Sequence, residues 1–260
     1  MTAEASSDDV EASVSAATVD VSIPRQSLAR VRGVELLSGM SPEDRRQVLA
    51  SGRRRRFAAR EVVFHEGDPA DTFLLIADGR LAVRAVTPAG DTVTFGVFGP
   101  GEVIGELALL EVGARRSATV VALEATDVWS FPAATFHRLR KTNAGADAFV
   151  LKTLATDVRR LSGLLLEALH LPVETRILRR LADLELRYRP GGGAAPAPSA
   201  TTPGPTEVPL TQDEIGSLAG ASRATVNRVL RAAEADGVVA LRRGRVVVLN
   251  PRELKRRGAV

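Results

Sequence analysis

Between residues 57 and 131 the sequence is heavily punctuated. Short β-type runs at 61–64, 73–77, 80–86, 92–98 and 126–131 alternate with turn chemistry. The turns are Glu66-Gly67-Asp68-Pro69, Asp78-Gly79 and Pro88-Ala89-Gly90-Asp91. Glycine tolerates the positive φ of a tight reversal, and Asp and Pro pre-set turn geometry. Evenly spaced short strands joined in this way predict a small antiparallel barrel or roll. Gly79, inside one tight connection, reads as structural.

One stretch within that region carries chemistry. Residues 105–119 read GELALLEVGARRSAT, after the turn Gly99-Pro100-Gly101 and the apolar step Val103-Ile104. Gly105 lets the backbone approach whatever lies above it, and residues 106–110 predict a short helical turn. A helix start offers unpaired N–H groups and a positive dipole end to an anion. Arg116 and Ser117 follow, then a strand-like run over 118–122. A carboxylate, a helix start, a guanidinium and a hydroxyl in one place match a sugar hydroxyl and a phosphate on one small molecule. The residues alone also fit a strand–turn–strand corner whose arginines are merely solvated.

The second organising element is a helix expected over 146–171. Leu151, Leu154, Val158, Leu161, Leu165 and Ala168 recur at alternating spacings of three and four, a heptad seam. Phe149, Leu164, Leu166 and Leu169 add a second apolar side, so one side suits the helix's own domain and the other a partner. Pro172 ends the helix and supplies a hinge. A further amphipathic helix is expected over 173–188, with Ile177, Leu178, Leu181 and Leu184 inward. The low-complexity run PGGGAAPAPSATTPGP predicts a flexible loop over 190–206. Residues 1–26 read as a disordered acidic tail. Ser41, Pro42, Glu43 and Asp44 mark a helix start. Arg53–Arg56 then reads as a solvated face straddling a helix end and a strand start, rather than a nucleic-acid patch.

Thr211 and Glu214 form a capping box, with Ile215 and Leu218 inward. Ala219-Gly220-Ala221 suits a tight inter-helix turn, and Ser222 caps a second helix. Its inner face is Val226, Val229, Leu230 and Ala233; its outer face is Arg223, Ala224, Asn227, Arg228 and Arg231. This is a helix-turn-helix with the cationic face on its second helix, as entry into a DNA groove requires. A winged hairpin follows over 238–249 around Arg242-Arg243-Gly244-Arg245, which brings Arg243 and Arg245 toward the same DNA. The chain has 35 Lys and Arg against 31 Asp and Glu, a net charge of +4, and residues 207–260 hold the entire excess. A basic module on a neutral body points to nucleic acid more than to a membrane. A small helical core with a solvated arginine face is the bland alternative.

Other chemistries find little support. Cysteine is absent, which excludes disulfides, thiol catalysis and a cysteine-ligated iron–sulfur cluster. His65, His137 and His170 lie far apart, without metal-ligand spacing, so neither a metal, a haem nor a catalytic site is expected. With no stretch of 18 apolar residues and no basic-then-apolar leader, a cytoplasmic location and no membrane contact are expected.

The spacing from Gly105-Glu106 to Arg116-Ser117 resembles the phosphate-binding cassette of cyclic-nucleotide-binding domains in the Crp/Fnr superfamily of bacterial transcription regulators. The segment Arg223-Ala224-Thr225-Val226-Asn227-Arg228 after Ser222 resembles that family's recognition helix, and Gly67, Gly79, Gly90 and Gly101 fit its β-roll. The resemblance covers roughly residues 33–255. It implies an α+β chain: a cyclic-nucleotide-binding β-roll over 27–145, a dimerisation helix over 146–171 and a winged helix-turn-helix domain over 172–260. It implies that Glu106 accepts from a ribose 2′-OH and that Arg116 and Ser117 hold a cyclic phosphate. The backbone of Gly105 and Ala108 would complete the cradle. The implied effector is a cyclic nucleotide, with cAMP first; the implied partners are palindromic double-stranded DNA, a second copy of the chain and RNA polymerase. The sequence departs from the pattern twice. Leu161 and Ser162 stand where the cAMP-binding pattern has Thr-Ser against adenine, and Ala224 stands where a glutamate reads a base. A regulator with an empty or repurposed pocket, binding DNA constitutively, remains open beside this, as does an architectural DNA-bending protein.

Overall fold

The computed structural model describes residues 41–141, 144–189 and 204–259. The tail expected over 1–26 lies outside the described residues, as does 190–203 of the expected loop. Helix α1 (Pro42–Ala50) starts as its sequence dictates: Ser41 Oγ accepts from the Asp44 amide at 3.1 Å, and Pro42 occupies the first turn.

Eight strands follow: β1 (Arg53–Phe57), β2 (Val62–Phe64), β3 (Thr72–Asp78), β4 (Leu81–Val86), β5 (Thr92–Phe98), β6 (Val103–Ile104), β7 (Thr119–Ala122) and β8 (Thr126–Pro132). They form two antiparallel sheets, ordered β1-β8-β3-β6 and β2-β7-β4-β5. The expected roll is therefore present. Phe57, Leu74, Ile76, Leu81, Ile104, Val120 and Val128 pack together as its buried core. Gly79 sits at φ 78°, and a Cβ there would stand 2.5 Å from Thr126 Oγ1, so it is structural.

The arginine run is a solvated face, as expected, but it does not reach back into the helix end. Helix α1 ends at Ala50, and all four arginines lie in β1, exposed, on a strand paired only with β8. Arg54 reaches Asp127 at 2.9 Å and Arg56 reaches it at 3.6 Å. Charge along an edge strand hinders pairing with another chain.

A second core lies under helix α2 (Ala133–Arg140), which the sequence reading did not anticipate. Phe73 stacks on Phe131 with centroids 5.1 Å apart, and Phe136 meets Phe149 at 5.1 Å. Phe149 comes from α3 (Ala144–His170), whose buried residues, Ala146, Phe149, Val150 and Thr153, all lie in its first three turns. The rest of this 27-residue helix runs out beyond that core.

Pro172 ends α3 and begins α4 (Val173–Tyr188), with Ile177, Leu181 and Leu184 buried. Then come β9 (Thr206–Val208), α5 (Gln212–Ala219), α6 (Arg223–Ala235), β10 (Val239–Arg242), β11 (Arg245–Val248) and α7 (Pro251–Gly258). Ile177, Leu181, Val208, Ile215, Val226, Leu230, Val248 and Leu254 share one core. The wing is a three-stranded sheet, because β9 adds to the expected hairpin beside β11. Val97 of β5 joins this C-terminal core, and Thr94 Oγ1 meets Ser217 Oγ at 2.6 Å, so α5 docks on the β-roll.

Candidate functional site

Strand β6 delivers Gly105 at φ 82°. A Cβ there would stand 2.6 Å from Arg116 Nη1 and 3.2 Å from the Thr72 carbonyl oxygen, so both conformation and space require glycine. Residues Glu106–Leu109 form one 3₁₀ turn rather than an α-helical start. A single turn has little summed dipole to offer an anion. The Ala108 amide donates to the Gly105 carbonyl at 3.1 Å, closing that turn. The Ala108 carbonyl faces His137 Nε2 at 3.0 Å.

Arg116 is buried. Its Nη1 donates to the Thr72 carbonyl at 2.7 Å and its Nη2 to Thr72 Oγ1 at 2.9 Å, while the guanidinium lies 4.1 Å from the centre of the Phe64 ring. Its Nε is shielded from solvent without a protein partner. Burial lowers its pKa, and the carboxylates of Asp71, Asp68 and Glu106 oppose that shift. Burial likewise pushes the Glu106 carboxyl above the ordinary carboxylate range. Its own amide pulls it back, Asp157 raises it, and Arg160 and the Gly105 amide lower it. Glu106 lies within electrostatic reach of Arg116, and of Asp157 and Arg160 of α3.

Ser117 is exposed, as are Leu161 and Ser162. The residue that α3 sends onto β5 is Arg160. Its Nη1 donates to the Phe95 carbonyl at 2.7 Å, and its guanidinium lies 5.0 Å from the Phe98 ring centre. Sequence reasoning missed Thr72, Phe64, Asp157 and Arg160. The strand residues carry no motif, and Arg160 shows only as a charge beside an apolar seam. A cleft of about 400 Å³ lined by Pro69, Ala70, Asp71, Val112, Ala133 and His137 includes none of Glu106, Arg116 and Arg160, and it adjoins Arg116 through Asp71, which lies 3.9 Å from Arg116 Nη2.

Along α3, Leu151, Val158, Leu161 and Leu165 are 46–66% exposed, and Ala168 is exposed beside them. Leu154 departs from the expected seam: it packs against the core under α2.

The DNA-facing candidates are assembled by local chemistry. Thr211 Oγ1 accepts from the Glu214 amide at 3.2 Å, and Glu214 Oε2 accepts from the Thr211 amide at 2.8 Å, completing the capping box. A Cβ on Gly216 would stand 2.6 Å from the Ala221 carbonyl oxygen, so a small residue permits the tight turn. Ser222 Oγ caps α6 by accepting from the Thr225 amide at 3.2 Å. Arg223, Ala224, Asn227, Arg228 and Arg231 form the exposed face, with Arg243 and Arg245 exposed on the wing. Arg223 pairs with Asp213 at 3.3 Å, Arg228 with Glu174 at 2.7 Å, Arg231 with Glu234 at 2.8 Å and Arg245 with Glu207 at 2.6 Å. Asn227 donates to Gln212 at 3.0 Å. Exposed pairs of this kind contribute about 0–1 kcal/mol each, so phosphates can displace them. No helix among the described residues is long and apolar enough to cross a membrane.

The family description "Cyclic nucleotide-binding domain" matches residues 54–143, and "Crp-like helix-turn-helix domain" matches 175–257. The chain is 30% identical over 222 residues to the cyclic AMP receptor protein of Thermus thermophilus, covering 84% of this chain and 94% of that protein. It is 28% identical over 198 residues to the cAMP-activated global transcriptional regulator CRP of Salmonella typhimurium, covering 76% of this chain and 90% of that one. Among solved structures, the c-di-GMP-responsive global regulator CLP of Xanthomonas campestris superposes with TM-score 0.64 at 27% identity, over 81% of this chain and 99% of its own.

Proposed function

The chain belongs to the Crp/Fnr family of DNA-binding transcription regulators and is not an enzyme, and on that premise we propose that it acts as a cytoplasmic homodimer switched by a cyclic nucleotide held between the β-roll and α3. The observation that carries this reading is the buried Arg116 guanidinium, held by Thr72 against Gly105, with no protein partner at its Nε. A cyclic phosphate would complete Arg116 through charge-assisted hydrogen bonds, and the Glu106 carboxylate would accept from a ribose hydroxyl. Ser117 stands exposed next to Arg116 and would add its hydroxyl to the phosphate. cAMP is the effector that the names of several relatives supply.

In this reading the nucleotide acts on α3 at Asp157 and Arg160, and the change reaches the DNA-binding half through Pro172. Leu151, Val158, Leu161, Leu165 and Ala168 supply the face for the second copy. Two α6 helices then enter successive major grooves of a palindromic operator, about 34 Å apart, and RNA polymerase is the partner at the promoter. The outer face of α6 carries no large apolar wedge, which favours a sequence reader over an architectural DNA-bending protein.

A second reading has its own support. Each Nη of Arg116 already donates one hydrogen bond to Thr72, so the guanidinium is held in place without a ligand, as a pocket that stands empty while the dimer binds DNA constitutively requires. Calorimetry with cAMP, cGMP and cyclic di-GMP on the wild type and Arg116→Ala separates the two. Binding that Arg116→Ala abolishes, coupled to tighter operator binding, supports control by the nucleotide. No heat with any of them, and an operator affinity that none of them alters, supports the empty pocket.

A further inference from the structure

We propose that Glu174 is a specificity-determining residue for DNA: its carboxylate keeps backbone phosphates off Arg228 and leaves that guanidinium to a neutral base edge. This rests on the DNA-reading role of α6 and adds to it a residue from outside the helix-turn-helix.

The cationic face carries its own counterions. Arg228 Nη2 donates to Glu174 Oε1 at 2.7 Å, Arg223 lies 3.3 Å from Asp213, and Arg245 lies 2.6 Å from Glu207. These carboxylates stand on α4, α5 and β9, none of them on α6. Glu174 is the least local of the three. It lies 54 positions from Arg228, in the first turn of α4 just past Pro172. Arg228, and then the residue's own amide, hold the Glu174 carboxyl below the ordinary carboxylate range, so it stays ionised at neutral pH. Helices α4 and α6 share the core that contains Ile177, Leu181, Val226 and Leu230, so packing keeps the two side chains together. The Arg228 and Glu174 side chains are 66% and 44% exposed, which leaves the pair open to an approaching duplex.

Charge then discriminates between the two kinds of DNA contact. Arginine has five N–H donors and no acceptor, and Glu174 accepts from Nη2 alone. A phosphate that approaches the remaining donors sets a second anion beside the carboxylate, and the two repel. A phosphate that displaces Glu174 leaves the carboxylate stranded next to it. The O6 and N7 edge of guanine is neutral, so it can share the guanidinium with Glu174 without that repulsion. Non-specific complexes are held by phosphate contacts, whereas base edges supply sequence preference. A carboxylate on this arginine therefore weakens the first more than the second, a repulsive device against the wrong partner.

The test is fluorescence anisotropy of the full-length protein across a salt series, on two duplexes. One is obtained by binding-site selection with the wild type, and the other is a scrambled duplex of the same length and composition. The proteins are the wild type, Glu174→Gln, Arg228→Met and the double variant. Glu174→Gln keeps the size and an acceptor but removes the charge. It is expected to bind the scrambled duplex about fivefold more tightly near physiological salt. Its slope of log affinity against log salt should be steeper by about 0.9, the signature of one further phosphate contact. The selected duplex gains less, so the wild-type preference for it shrinks. In the Arg228→Met background the same substitution is expected to change neither affinity nor slope, because there is no guanidinium to release. A gain that persists in the double variant would trace to general repulsion of DNA and overturn the proposal. So would an unchanged slope, or a Glu174→Gln variant that weakens the selected duplex more than the scrambled one, which would make Glu174 a prop that orients Arg228. If selection enriches no sequence, base reading by α6 falls, and this proposal with it.

Discussion

At the scale of single residues, the pocket holds a carboxylate at a cost to the fold. Burial raises the Glu106 pKa, so the folded chain binds that proton more tightly than the unfolded one. Its stabilising contribution is complete below the ordinary carboxylate range and is lost as the pH rises through the raised folded value. Glu106→Gln removes the charge while keeping the shape. The effector-free variant is expected to melt at a higher temperature than the wild type near neutral pH, with the gap closing as the pH falls into the carboxylate range. The same variant should bind cyclic nucleotide about fivefold more weakly, since a neutral acceptor replaces a charged one at about 1 kcal/mol. Thermal melts across a pH series and calorimetry check the two halves, and a melting difference that does not depend on pH would locate the strain elsewhere. Glu106 and Arg116 were legible in the sequence because a cassette lies within a dozen residues. Thr72, which holds Arg116 from 44 positions away, was not. A carbonyl acceptor carries no side-chain signature, and only the pairing of strands brings it near.

At the scale of elements, legibility followed local chemistry. Helices α1, α5 and α6 carry caps that fix their starts, and those starts were read correctly at Ser41, Thr211 and Ser222. Helix α7 was equally signalled by Asn250, Pro251 and Glu253, although the sequence reading placed no helix there. Helix α2 has no side-chain cap at Pro132, so nothing local announced it. The heptad on α3 misassigned one residue, since Leu154 turns to the core under α2 while Leu151 and Val158 stay exposed. Periodicity shows that a face is apolar without saying what covers it. Val158→Asp is expected to yield monomers in sedimentation and weaker operator binding, because it sets an unpaired charge in the seam; a dimer would move the interface elsewhere. In the proposed DNA-bound dimer Arg223 and Arg228 of α6 each pair bidentately with a guanine, and Ala224 between them has no acceptor. Ala224→Glu should therefore sharpen one cytosine position of the operator by about 1–3 kcal/mol. Selection of binding sites by both proteins checks this, and identical preferences would mean that α6 docks differently.

At the scale of the whole molecule, the two halves are tied together by side chains with no common motif, and this was the least legible level. Arg84 of β4 pairs with Glu214 of α5 at 3.2 Å, and Thr94 of β5 meets Ser217 at 2.6 Å. Arg187 pairs with Glu102 at 2.6 Å, and Arg80 lies 3.9 Å from the centre of the Tyr188 ring. Arg176 ties the end of α3 to the helix-turn-helix, donating to the carbonyls of Ala168 at 3.1 Å and Ala219 at 3.1 Å. The helix-turn-helix is thus clasped to the sheet that contains β5, the strand against which Arg160 rests. In the proposed dimer, a change of spacing that moves α6 relative to its own β-roll shifts α5 as well, and the contacts on β4 and β5 oppose it. An effector can move that equilibrium only by its difference in affinity for the two arrangements. The double variant Arg84→Met with Thr94→Val removes two of these polar ties and leaves the capping box and α6 intact. Two polar contacts are together worth about 1–2 kcal/mol, a factor of about 5–30. We expect the variant to bind its operator more tightly by that factor without effector, and as the wild type does with effector, in fluorescence anisotropy titrations. An unchanged effector-free affinity would mean that the clasped arrangement is already the one that binds DNA.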